Sequence, residues 1–503
     1  MDVRAVFFIG LLALGDLSVA AAAEPTGPQP PRNGDDSVVS LRAFQTQLEA
    51  HYGGYRNIPL DVKAAYFEWE LARYHRTEHG QVYNRVELSD QPGVRPVTIP
   101  GSDTSTWNGS LLAAMSYKYA VTRDATTLQQ IADLVRGLHF FFEVTGQPGL
   151  MARSVSPADG RVFDEMRANE YVAPDGRKYF YRNDPAKGTY NQIAGGYAAL
   201  CMFALDDLPP EVRGMALSDM HALVLHVIGT GYHPTERGGR KTRYGDMQPF
   251  AGPLGVPFNA QVAYEIVALG YSFPPDNPQQ RELIRREFVK LRGEKHAYYI
   301  DPWLSLVRPQ EVAASPFLKG MNDRNHVMNA AFVGLMLERN HAHRQGQPWN
   351  RKFMYELGQT MFWGMQALDG QRHSLGTFMW AGLLEDQGVF DAIVERKKNT
   401  ARAQIERNLP DAVEQLRRYR LDRFVYPGEE IEQAGPMWND SMKPDDSYWK
   451  VNPRLVWRAT GPATNTCYCA MDYLYAYWLM RYFRLDEKPA VRRFHADVLE
   501  RRP

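Results

Sequence analysis

Apolar residues recur at three- and four-residue spacing over residues 40–52, 60–75, 124–144, 210–228, 281–292 and 401–419. Charged residues fill the opposite face, so each stretch predicts an amphipathic helix wet on one side. A second set differs in kind. Residues 106–121, 190–205, 260–269, 326–338, 374–384 and 467–483 are apolar or small on nearly every face. A helix of that composition is surrounded by other protein. Amphipathic stretches alternate with most of these six. Strand-like alternation is confined to short pieces around residues 82–88. No fixed-period repeat supports a solenoid. The pattern therefore predicts an all-α fold: a single (α/α)6 toroid of helical hairpins, buried helices inside and amphipathic ones outside, with long loops of the kind that usually carry function.

The first 39 residues fall outside that pattern. Arg4 precedes an apolar run at residues 5–14, Asp16 breaks the run, and Ala21, Ala22 and Ala23 offer a small-residue cleavage site. Residues 1–23 read as a secretory signal peptide. Residues 24–39 read as a Pro/Gly-rich linker, and residues 40–503 as the toroid domain. No later stretch has the roughly 18 apolar residues of a membrane span. The expected location is secreted or periplasmic.

Composition narrows the function. Across 503 residues, 58 Lys+Arg balance 58 Asp+Glu, with 44% hydrophobic and 12% aromatic residues. The chain is too apolar for disorder and too neutral for an electrostatic nucleic-acid binder. Its 27 Tyr, 10 Trp and 23 Phe can fill a core or line a groove for sugar rings. Cys201, Cys467 and Cys469 read as buried thiols, the last two on the final helix. No second Cys/His pair stands at zinc-finger spacing, so neither metal nor cofactor is expected.

The chemistry gathers where buried helices begin. Asp103 and Trp107 stand one turn apart before the first. Asp103 or Ser102 would cap the helix, or the carboxylate would handle protons while the indole stacks on a pyranose. Asp184-Pro185 signals a turn before the second, where Tyr190, Asn191 and Gln192 fall on the first helical turn. Gly195 and Gly196 come later inside that helix and suggest close packing or a wall cut back for a ligand. Residues 237–258 form a Gly-, Pro- and Arg-rich loop. Arg237, Arg240, Lys241 and Arg243 cluster there, near Glu236, either as a solvated loop or as a clasp for carboxylate or sulfate. The sharpest signal is Asn322, Asn325, His326 and Asn329, which share one face at the start of the fourth buried helix. Asn322 or Asp323 alone would serve as a cap. The others point to ligand contact or to a buried, satisfied histidine. Residues 369–373 and 438–449 read as rim loops.

The segment from Asp103 and Trp107 through residues 110–124, with the aromatic closing segment 471–483, resembles the helical hairpins of six-hairpin glycosidases and related toroid enzymes. That resemblance implies a carbohydrate-active enzyme in which Asp103 and Asp184 match the acids at inner-helix entrances. The Asn325-His326 pair is similar to that of alginate-lyase-like toroid lyases. There an amide neutralises a uronate carboxylate while His and Tyr move the proton. The reading is then a glycoside hydrolase acting on an acidic poly- or oligosaccharide, with a β-eliminating lyase or a non-catalytic glycan binder as alternatives. Asp103, Asp184, Tyr190 and His326 are the expected catalytic groups, with Asp323 in reserve. Trp107, Asn191, Arg240, Arg243, Asn325 and Asn329 are expected on the substrate.

Overall fold

A computed structural model describes residues 28, 30–31, 35–101, 103–249, 257–293, 322–345, 351–385, 395–444, 451 and 453–493. The expected signal peptide, residue 102 and the side chains of residues 322 and 323 lie outside the described residues, as does half of the expected linker.

The chain is mostly helical. The described residues hold thirteen α-helices: α1 (Val38–Tyr52), α2 (Leu60–Glu70), α3 (Thr104–Thr122), α4 (Ala125–Glu143), α5 (Lys187–Phe203), α6 (Pro210–Gly229), α7 (Pro257–Ser272), α8 (Pro278–Gly293), α9 (Asn322–Gln345), α10 (Arg351–Leu368), α11 (Ser374–Leu384), α12 (Glu395–Arg417) and α13 (Met471–Tyr482). The stretches apolar on all faces became the buried helices: every residue of α3 from Thr104 to Tyr117 is buried, as is every residue of α11 from Ser374 to Leu383. Their neighbours follow a simple order. α3 packs on α5, α5 on α7, α7 on α9, α9 on α11, α11 on α13, and α13 returns to α3. Outside them, α4 lies on α3, α6 on α7, α8 on α7, α10 on α9, α12 on α11 and α2 on α13.

Three features differ from the expected pattern. Helix α10 covers residues 351–368, which the periodicity did not single out. Three small antiparallel sheets are present. One, in the order β2-β1-β8, joins β1 (Arg85–Glu87), β2 (Val97–Ile99) and β8 (Thr466–Tyr468). The second pairs β3 (Ser154–Pro157) and β4 (Glu170–Val172) on either side of β5 (Lys178–Arg182), and the third pairs β6 (Gly428–Glu432) with β7 (Leu455–Ala459). Cys467 therefore sits on a strand rather than on the last helix. It is paired opposite Val86, and both it and Cys469 are buried free thiols.

The α3–α5 contact shows how glycine shapes the packing. A Cβ on Gly109 would stand 2.5 Å from the carbonyl oxygen of Gln192, and a Cβ on Gly196 would strike the carbonyl of Gly109. The two backbones touch, so neither helix can yield by moving a side chain. Gly109→Ala is therefore expected to cost about 2–3 kcal/mol of stability through overpacking, measured by denaturant titration. An unchanged midpoint would mean that the helices are not in backbone contact. Gly195 has the other role. Its open side faces Asn329 and Glu265, so one glycine of the pair makes room for a neighbouring helix and the next makes room for polar groups.

The seam between first and last elements is polar as well as apolar. Glu68 on α2 accepts from Lys118 on α3 at 2.6 Å and from the Trp478 indole on α13 at 2.9 Å. Beneath it, Glu70 is buried beside Tyr66 and Cys467, whose hydroxyl and thiol donate to its Oε1 at 3.2 and 3.7 Å.

Candidate functional site

Contacts between helix starts bring the first turns of the buried helices to one place. The Thr106 hydroxyl on α3 donates to that of Thr189 on α5 at 3.0 Å. Lys187, opening α5, donates to Asn259 near the start of α7 at 3.2 Å. A Cβ on Gly188 of α5 would lie 2.5 Å from Nε2 of His326 on α9. A Cβ on Gly376, near the start of α11, would meet the Met328 side chain of α9. Tyr475 on α13 donates to Oδ1 of Asn329 at 3.4 Å.

Within that convergence lies a buried polar network. The side-chain oxygen of Asn191, Oδ1, takes three donors: Gln192 Nε2 at 3.1 Å, His326 Nδ1 at 3.1 Å and Asn329 Nδ2 at 3.3 Å. Because that oxygen only accepts, the hydrogen of His326 sits on Nδ1. The ring's other nitrogen, Nε2, faces the backbone of Gly188. Asn191 Nδ2 donates in turn to Glu265 Oε2 at 2.5 Å. Ser110 on α3 donates to Gln192 Oε1 at 2.8 Å. Asn191 and Glu265 are fully buried, Asn329 nearly so, and Asn325 and His326 are 8% and 9% exposed. Burial drives the Glu265 carboxyl well above the ordinary carboxylate range, with the Asn191 hydrogen bond opposing.

The two expected acids are linked through Arg153, which is 7% exposed. One guanidinium nitrogen pairs with the Asp103 carboxylate and another donates to the Asp184 backbone carbonyl at 3.2 Å. Asp103 stands at the N-cap position of α3 without making a side-chain cap bond. Asp184 holds a left-handed backbone at φ 66°, and its carboxylate accepts from the Arg243 backbone N–H at 2.5 Å.

Three expectations are corrected. Trp107 is 7% exposed and belongs to the apolar core rather than presenting a ring face to a sugar. Tyr190 is fully buried, its hydroxyl lacks a hydrogen-bond partner among the described residues, and burial raises its phenol far above the usual range. Arg240 does not offer a free charge. Residues 236–240 close a turn through Gly238 and Gly239, both at positive φ, and the Arg240 side chain folds onto buried Glu236 at 2.6 Å. Arg243 stays exposed, its guanidinium 5.0 Å from the Tyr244 ring centroid and its backbone on Asp184.

Sequence reasoning missed Arg153 and Glu265. The signal for both was a lone charge in an otherwise apolar run. Glu265 is the one carboxylate in residues 260–269, and Arg153 is the one charge between Leu150 and Pro157.

No known protein family and no curated protein matches the chain. Among solved structures it is similar to the catalytic domain of Clostridium thermocellum CelT, at 12% identity over 78% of this chain and 83% of that one, with a TM-score of 0.36, a level at which the likeness carries no weight for fold or activity.

Proposed function

We propose that this chain is an exported carbohydrate-active enzyme that cleaves glycosidic bonds in an acidic poly- or oligosaccharide. The reading takes the six buried helices as the inner ring of an (α/α)6 toroid, because each packs on the next and the last on the first. The observation that carries the function is the convergence of helix starts on a network that pairs an oriented histidine with amides: His326, Asn191 and Asn329. In a glycoside hydrolase reading, Asp103 activates water. Arg153 pairs with it at the start of α3, and the Asp103 side chain is 33% exposed. His326 moves the second proton through Nε2. Asn325 orients the sugar, while Asn329, whose amide is taken by Asn191 and Tyr475, holds the network.

A lyase reading has one observation in its favour. The Asp184 carboxylate is engaged by the Arg243 backbone, so the second acid of a hydrolytic pair is already occupied, whereas elimination needs only a base and groups that stabilise an enolate. Digesting a panel of uronate-containing glycans while following ultraviolet absorbance separates the two. Reducing ends without new absorbance mark hydrolysis, and absorbance from a new C=C bond beside a carboxylate marks elimination. Neither product from any acidic or neutral glycan would refute glycosidic cleavage.

The acidic-substrate part of the proposal rests on Arg243. Arg243→Gln is expected to raise the Michaelis constant for an acidic oligosaccharide by roughly 3–10-fold and to flatten its salt dependence, through loss of one screened charge contact. Arg240→Gln is expected to leave that constant unchanged and to cost about 1–2 kcal/mol of stability, because buried Glu236 loses its partner. Equal effects on binding from both substitutions would mean that the loop acts as a general positive surface.

A further inference from the structure

The contacts of His326 reach one step beyond the residues that touch it. Its Nδ1–H ends on an amide whose own orientation is held from both sides. Three donors from α5 and α9 meet the Asn191 oxygen, while the Asn191 amide nitrogen is taken by a carboxyl from a third helix, α7. Turning that amide over would set its N–H groups against the side-chain N–H groups of Gln192 and Asn329. It would also strip Glu265 Oε2 of its 2.5 Å donor. A fully buried carboxyl is costly unless its oxygens are hydrogen-bonded. The Asn191 amide offsets part of that cost at Oε2, while Oε1 finds no partner among the described residues.

We propose that Glu265 and Asn191 are positioning residues that lock His326 as its Nδ1–H tautomer and so keep Nε2, beside Gly188, as the nitrogen that accepts a proton. The proposal rests on the reading of His326 as the proton-transfer group, and it assigns to Glu265 the orienting place that a third group holds behind a catalytic base. Glu265 does not reach the reacting atoms. Its carboxyl serves because an acceptor oxygen is what Asn191 Nδ2 needs, and a glutamine carbonyl supplies the same oxygen in the same shape.

The experiment uses the full chain with 15N-labelled histidine. Ring-nitrogen resonances assigned to His326 with the His326→Gln variant report its tautomer without any substrate, and turnover is measured on whichever glycan the parent cleaves. The parent and Glu265→Gln are expected to show the Nδ1–H form and turnover within about threefold of each other. Glu265→Leu is expected to show mixed tautomers and a fall in kcat of roughly 10–100-fold with little change in KM, the range typical of lost orienting partners. Should Glu265→Leu fail to fold, Asn191→Ala cuts the same link and is expected to mix the tautomers likewise. An unchanged His326 tautomer in Glu265→Leu or Asn191→Ala overturns the proposal. So does an inactive Glu265→Gln that keeps the parent tautomer, since Glu265 would then be donating a proton itself. If the tautomer follows the expected pattern but no glycan is cleaved, the carbohydrate reading fails and the positioning pair stands.

Discussion

His326→Ala is expected to lower turnover by roughly 10²–10⁴-fold, the range for loss of a positioned acid or base. Stability should change by only about 1–2 kcal/mol. The stability cost stays small because Asn191 keeps its other two donors, Gln192 and Asn329, when the imidazole is gone. Asn325→Ala, on the same turn of α9, is expected to lower turnover by at least about tenfold if its amide meets the substrate. Thermal melts beside initial rates on the glycan identified by product analysis check both. A melting point several degrees lower with activity intact would make His326 a packing residue. Activity gone with the fold intact supports the proton-transfer role.

A second large effect concerns stability against pH. Burial pushes the Glu70 carboxyl up to about 8 from an ordinary 4.5, with the Tyr66 and Arg423 contacts opposing. The folded form therefore keeps a proton that the unfolded chain releases above pH 4.5. Stability from this group is fully present below that pH and is lost as pH rises towards 8. Lys63, whose ammonium is brought down to about 7 mainly by burial, changes stability in the opposite sense, but above pH 7. Between pH 5 and 7 the Glu70 contribution amounts to a loss of roughly 2–3 kcal/mol. Glu70→Gln preserves the shape, removes the titration and should flatten the fall by that amount in denaturant titrations across this window. A parallel curve would show that Glu70 is ionised in the fold.

How much of the molecule was legible in the sequence depends on what each feature rests on. The buried helices could be read because they lack a polar face: residues 374–384 were expected as a helix, and α11 spans Ser374–Leu384. Helix α10 escaped notice although its apolar positions, such as Met354, Leu357 and Met361, do lie on one buried face. Strand-like alternation was legible around residues 82–88, where β1 lies; the other strands were missed because they too run three to five residues, too short for alternation to rise above chance, and their pairing partners are remote, as with Val86 and Cys467. At the site, Asn191 was legible as a polar group on a first turn and His326 and Asn329 as polar groups on one helix face, and the structure brings them into one network. Trp107 was misread because an aromatic at a helix start can face a groove or the core, and only the position of neighbouring helices decides. The engagement of Arg240 by Glu236 arises from two glycines closing a turn, a geometry that composition does not encode.

The Glu68 seam has a consequence for the order in which the molecule can be made. Trp478 and Glu68 are 410 positions apart, and α3 packs against α13. At roughly 5–20 residues per second, a ribosome that has completed α3 needs on the order of 20–70 s to deliver α13. For that interval the part of α3 that packs on α13 lacks that partner, and α2 waits with Glu68 and no Trp478. The last contacts to form are thus among the most distant in the chain, a topology that slows folding and leaves a half-made molecule open to association with others like it. Holding that interval open safely falls to whatever accompanies the nascent chain, and strain from overexpression should show first as aggregation of chains stalled before residue 471.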